Sequence, residues 1–157
     1  LRDLFDYFED ETTSPLLGLM SPSERKTGKI SRVTFNAAMK PIFSAFEGSD
    51  SKRAYVVLSA YVQAWMSGLR DRGQEDKITN STMFRAMMLL FPAVAEKVSD
   101  RYGEDFTADN FLEVLRPVFS RTKKGHIEAP GNSPSVLYDL LRKQLESGFS
   151  LVRGRRS

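Results

Sequence analysis

Leu1, Leu4, Phe5 and Phe8 open the chain at spacings of three and four, the stripe of an amphipathic helix whose other face carries Asp3, Asp6, Glu9 and Asp10. The helix is expected to fail by Thr12, because Thr12, Thr13 and Ser14 are poor helix formers and Pro15 biases Ser14 toward extended backbone. Residues 12–30 then read as a loop. Within it, Ser21-Pro22-Ser23-Glu24 has the order of a capped turn, and Thr27-Gly28-Lys29 is a turn signal. A second helix is predicted over about Arg32 to Phe46, kinked by Pro41, with Phe35, Ala38, Met39, Ile42 and Phe43 facing inward.

Gly48-Ser49-Asp50 ends that element, and Asp50 can cap the next. From Ala54 to Leu69 the chain is apolar almost all round. Its β-branched start would suit a strand, but fifteen or more residues without Pro or Gly favour a central buried helix. Residues 68–77 read as a polar loop. Asn80 or Ser81 is expected to cap a helix carrying Met83, Phe84, Met87, Met88 and Leu90, with Pro92 opening a further short helix that ends near Tyr102-Gly103. Thr107 should cap a helix presenting Phe111, Leu112, Leu115, Val118 and Phe119, which Pro117 kinks or shortens. Thr122 to Asn132 reads as a loop. Ser133-Pro134 starts a last helix with Leu137, Leu140, Leu141 and Leu145 on one face, and Gly148 stops it. The sum is an all-α, single-domain orthogonal bundle of about seven helices over residues 1–150, with 151–157 as a flexible basic tail.

Composition adds limits. At 157 residues, 41% hydrophobic and 27% charged, the chain has ordinary globular usage. It has no cysteine, which excludes disulfides and thiolate zinc sites and makes the reducing cytoplasm the expected compartment. Its longest nearly apolar run, Ala86 to Ala95, is half the length a bilayer requires, so no membrane partner is expected. Leu1 already falls in helical rhythm, as though the chain were cut from inside a longer protein. The net charge of +3 is unevenly placed. Residues 1–115 hold 14 Lys/Arg against 17 Asp/Glu, a balance of −3, while residues 116–157 hold 9 against 3, a balance of +6. That asymmetry suits an acidic partner such as nucleic acid, and equally a solvated basic face.

The chemistry-bearing residues are sparse. The one histidine, His126, lies beside Lys123 and Lys124 and reads as an exposed loop residue; one His without Cys makes a zinc site improbable. No phosphate-loop or dinucleotide fingerprint is present, so no catalytic residue, metal ligand or cofactor is assigned. Two helix starts could hold an anion. At Ser51, Lys52 and Arg53 two cations occupy a first turn where the helix dipole disfavours them, a conflict a phosphate would relieve. At Ser81 and Thr82, hydroxyls gather at another start. Candidates for a DNA-backbone surface are Arg121, Lys123, Lys124, Arg142, Lys143, Arg153, Arg155 and Arg156, since clustered cations are the main requirement for binding phosphates. Trp65, Met83, Met87 and Met88 are expected in the core.

The order of landmarks is informative. An opening helix leads through Ser14-Pro15-Leu16 to Gly28-Lys29-Ile30-Ser31-Arg32-Val33-Thr34-Phe35. An aromatic-rich helix ends in Ala64-Trp65, and Lys77-Ile78-Thr79-Asn80-Ser81-Thr82 enters Phe84-Arg85-Ala86-Met87-Met88. Over roughly residues 1–120 this resembles the C-terminal helical region of DGQHR-domain proteins, the DndB-like group associated with bacterial DNA sulfur modification. The resemblance implies a ParB-like N-terminal part, outside this chain, that carries the Asp-Gly-Gln-His-Arg motif. Asp71-Arg72-Gly73-Gln74-Glu75 lacks the His-Arg pair and reads as a surface loop. Met83 stands where the family pattern suggests glycine, which weakens any inherited anion-binding role for Ser81 and Thr82. The expected function is therefore a non-catalytic helical domain contributing DNA-backbone contact, homo-oligomerisation or both, joined to the rest of its own longer chain. The alternative is a protein-interaction or scaffold domain without nucleic-acid contact.

Overall fold

A computed structural model of the chain describes residues 3–22 and 26–147. Seven α-helices appear among them: α1 (Leu4–Asp10), α2 (Arg32–Met39), α3 (Ser51–Asp71), α4 (Ser81–Tyr102), α5 (Ala108–Arg121), α6 (Lys124–Glu128) and α7 (Pro134–Glu146). The fold is all-α. A minimal parallel pairing of β1 (Met20–Ser21) with β2 (Ile30–Ser31) ties the middle of the connection between α1 and α2 to its end. The expected turn residues Ser23 and Glu24, the stop at Gly148 and the tail 151–157 lie outside the described residues.

Each long helix starts where a short polar side chain satisfies a first-turn N–H. Asp3, Ser31, Asp50, Asn80, Thr107 and Ser133 accept from the backbone N–H three residues on. The acidic face of α1 is engaged: Arg32 reaches Asp3 at 3.1 Å and Asp6 at 3.2 Å, with its guanidinium 4.1 Å from the Phe5 ring centre. The Arg32 hydrogen bond is the main reason that the Asp6 pKa lies below its ordinary value.

The core is one cluster running from Phe5 to Leu145, with α3 at its centre, packed against α5 and α1. Aromatic rings carry much of it. Tyr61 meets Phe91 and Phe111 edge-on, Phe8 meets Tyr55, and Trp65 meets Phe119 at 5.1 Å. The Tyr61 hydroxyl donates to the Met87 carbonyl at 2.6 Å, and complete burial drives its pKa far above the ordinary phenol value. Trp65, Met83, Met87 and Met88 are core residues, as their spacing predicts.

Several boundaries differ from the sequence expectation, each for a physical reason. The predicted helix Arg32–Phe46 is α2 followed by a 3₁₀ segment, Lys40–Phe46, because Pro41 has no N–H for the α ladder. Tighter winding rotates later residues off the α-helical phase, so Phe43 is 58% exposed instead of inward, while Phe46 stacks on Phe91. Val56 is also exposed, so α3, central to the core, still turns one side to solvent. Pro92 does not open a new helix. It sits with its side chain in solvent inside the continuous α4, where the burial of Phe91, Val94 and Val98 outweighs the lost hydrogen bond. Helix α5 likewise continues through Pro117. The predicted loop 122–132 contains α6, anchored by buried Ile127, and the predicted loop 68–77 is occupied by the end of α3 and the start of a second 3₁₀ segment, Glu75–Thr79.

Helices α3 and α5 approach most intimately at Gly68, where an added Cβ would overlap the Phe119 ring. Gly68→Ala must therefore displace Phe119 from Trp65. We expect a loss of about 2 kcal/mol, read as a fall of roughly 4–8 °C in Tm by circular dichroism; an unchanged Tm would show that the ring moves freely.

Candidate functional site

Two surfaces hold the residues singled out by sequence. The first is the turn between α5 and α6. Arg121, Lys123 and Lys124 are all exposed there, and none pairs with a carboxylate among the described residues. The turn is held from beneath by the segment after α3. Arg72 donates to the Phe119 carbonyl and, at 2.8 Å, to the Thr122 carbonyl. Gln74 is completely buried; its amide donates to the Lys124 carbonyl at 3.0 Å and to Glu128 Oε2 at 2.7 Å, while its carbonyl oxygen accepts from Arg72 Nε at 3.0 Å. Arg72 thereby satisfies carbonyls that the end of α5 otherwise leaves open, and Gln74 ties the first turn of α6 to the same segment. Gly73, with φ of 72°, lets the chain reverse between the two side chains.

Sequence pattern alone puts Asp71-Arg72-Gly73-Gln74-Glu75 in a surface loop. The structure corrects this: Gln74 is a buried connector, and Arg72 is partly buried, which lowers its pKa. Burial of a polar residue in a glycine-containing connection leaves no periodic trace, so apolar spacing could not reveal it. Alternation of a charged and an amide side chain around Gly73 is the one available signal.

The remaining basic candidates lie on α7 or outside the described residues. Arg142 and Lys143 lie near the end of α7, about 13 Å along the axis from its first residue. Arg142 is not a free cation: Glu146 at 2.8 Å and the Tyr138 hydroxyl at 2.8 Å hold it and raise its pKa. Arg116 is similarly paired with Glu113. Lys143 is exposed and without an ion pair to a described residue. Arg153, Arg155 and Arg156 lie outside the described residues.

The second surface is a polar cavity of about 300 Å³ lined by Lys26, Thr27, Gly28, Lys29, Ile30, Ser31, Thr34, Thr79 and Ser81. It forms where the start of α2, the start of α4 and the Lys26–Lys29 turn converge. Of the sequence-predicted anion candidates, Ser81 faces this cavity, whereas Thr82 is buried and is not part of its lining. Ser51, Lys52 and Arg53 lie elsewhere. Their helix start is occupied by the Asp50 carboxylate, which accepts from the Arg53 N–H at 2.8 Å and supplies the negative charge the two cations favour.

No group of three His, Asp or Glu side chains positioned for a metal occurs among the described residues, and none of their helices is long and apolar enough to cross a membrane. His126 is exposed on α6. Compared with known proteins, the chain shows no significant match to a family model, a curated protein or a solved structure.

The Gln74 network predicts a local stability change. Gln74→Leu retains the volume but removes the partner of Arg72 Nε and the ties to Glu128 and the Lys124 carbonyl, costing about 1–3 kcal/mol. Hydrogen exchange should accelerate at residues 122–128 ahead of the α3–α5 core; uniform acceleration would contradict a local latch. A pH dependence is expected too. The Gln74 hydrogen bond lowers the Glu128 pKa below its usual 4.5, assisted by Lys77 and Lys124. A carboxylate with a depressed folded-state pKa stabilises above its unfolded pKa and loses that contribution as pH falls through the folded value. Stability should thus drop below about pH 4.5, and Glu128→Gln should flatten part of that drop in denaturant titrations.

Proposed function

We propose that this chain is a non-catalytic helical domain of a bacterial, cytoplasmic DNA-modification-associated protein, and that it contacts the phosphate backbone of DNA. The observation that carries the reading is the buttressed basic turn. Three exposed cations, Arg121, Lys123 and Lys124, none within ion-pair distance of a described carboxylate, lie within four consecutive positions whose backbone is tied down by Arg72 and Gln74. A rigid presentation matters because ordering long basic side chains and their loop on binding otherwise opposes association. Lys143 and the basic residues 153, 155 and 156 extend the same charge balance along the chain. The DNA-modification setting rests on the resemblance of Gly28–Phe35 and Lys77–Met88 to the DndB-like group, and the compartment on the absence of cysteine.

Phosphate-driven binding releases counterions, so affinity must fall steeply as salt rises. A duplex of mixed sequence should bind in a fluorescence-anisotropy titration at about 50 mM salt and dissociate by about 200 mM. Lys123→Glu combined with Lys124→Glu should weaken binding at least about tenfold and make the logarithmic salt slope shallower by roughly two. Equal affinity for wild type and variant would remove the turn from the interface. Absence of any duplex binding would favour the protein-interaction reading, in which the domain serves as a scaffold or a self-association module.

A further inference from the structure

We infer that the polar cavity at the start of α4 and the cavity beside it form one cleft that binds a nucleoside monophosphate, with the phosphate in the polar half and the base in the apolar half. The two cavities share Gly28 and Thr79 in their walls. The second has a volume of about 390 Å³ and is lined by Leu19, Met66 and Ile78, with Glu75 and Asp76 at its edge. Together they fall in the range of small-molecule sites, where an apolar lining carries a few directed polar groups.

The polar half suits a phosphomonoester. Lys26 and Lys29 supply cationic charge, and neither is ion-paired with a described residue. Ser31, Thr34, Thr79 and Ser81 add hydroxyls. Thr34 is 8% exposed and lines the cavity; its Oγ1 accepts from Ser31 Oγ at 3.1 Å, so its own proton can be donated to an anionic oxygen in the cavity. Among the described residues, no carboxylate lines this half.

The neighbouring half suits a planar heterocycle bearing an amino group. Leu19, Met66 and Ile78 offer apolar contact, and methionine adapts well to a flat ring. Of the two carboxylates, Glu75 is taken by Arg70 at 2.6 Å, so Asp76 is the acceptor for an exocyclic N–H. Gly28 bears no side chain at the boundary, and a Cβ there would meet nothing within 4 Å, so a ligand can pass from one half to the other. This inference is independent of the DNA-backbone reading, which rests on a different set of residues.

Isothermal titration with adenosine 5′-monophosphate, ribose 5-phosphate and inorganic phosphate tests it. We expect the nucleotide to bind at least about tenfold tighter than ribose 5-phosphate, a margin that one buried ring and one hydrogen bond readily supply. Lys26→Ala with Lys29→Ala, both at exposed positions that leave the core intact, should abolish binding of all three. Asp76→Ala should bring the nucleotide down to the ribose 5-phosphate level without changing ribose 5-phosphate itself. Equal affinity for the three ligands would overturn the base-binding half, and no binding by the wild-type protein would overturn the whole inference. Affinity unaltered by the double lysine change would do the same.

Discussion

The Phe119 ring covers Gly68, and that contact fixes how far α5 can slide or roll along α3. A side chain at position 68 would hold the helices apart; its absence lets the ring seat against Trp65 in the middle of the core. The connection leaving α3 depends on this register. Four residues beyond Gly68, Arg72 meets the carbonyls of Phe119 and Thr122, and two further on Gln74 meets that of Lys124. A small translation of α5 would break all three bonds together, since hydrogen bonds weaken steeply with misalignment. Close packing at one glycine therefore sets the geometry of a polar network several residues away.

That network gives residues 72–79 two roles. Its first part, Arg72 and Gln74, holds the basic α5–α6 turn. Its second part, the 3₁₀ segment Glu75–Thr79, forms a wall of the cleft at the start of α4. Buried Ile78 pins the segment to the core, and the Arg70–Glu75 pair braces its start on α3. The two surfaces thus share a short, hydrogen-bonded frame and not a mobile loop. The Lys77–Glu128 pair, at 3.9 Å, adds a weaker electrostatic tie between the same two regions.

Much of the architecture was legible in periodicity. The stripes of α1, α5 and α7, the caps at Asp50, Thr107 and Ser133, and the burial of Trp65 and the methionines arise from spacing and local hydrogen bonding. Pro92 misled, because a proline's local penalty near 3 kcal/mol is visible in sequence while the burial that offsets it is tertiary. Pro92 and Pro117 are tolerated for that reason, whereas Pro41 meets too little buried surface after Ile42 to keep its helix α-helical. Phe43 shows the same limit, since its apolar character said nothing of the rotation introduced by the 3₁₀ winding. The site was less legible. Ser81 and the basic turn could be flagged by composition, but Gln74, Thr34 and the pairing of Arg142 with Glu146 are products of packing and local geometry that composition does not encode.

The two helix starts proposed from sequence as anion sites differ in one atom of their caps, and that difference gives them different local fields. At α3 the cap is Asp50, whose carboxylate places a full negative charge against the first-turn N–H groups. Lys52 and Arg53 then answer a charge already present, and a second anion would meet repulsion. At α4 the cap is Asn80, which satisfies the Met83 N–H at 2.9 Å with a neutral oxygen. Among the described residues no carboxylate lines the cavity at the positive end of this helix dipole, and Lys26 and Lys29 on the facing turn add to it. Cations in a first turn are a poor guide to anion binding when the cap is itself an acid. A neutral cap opposed by cations from another segment is the better one, because in that arrangement the field of the helix and the field of the facing turn still lack a counter-charge.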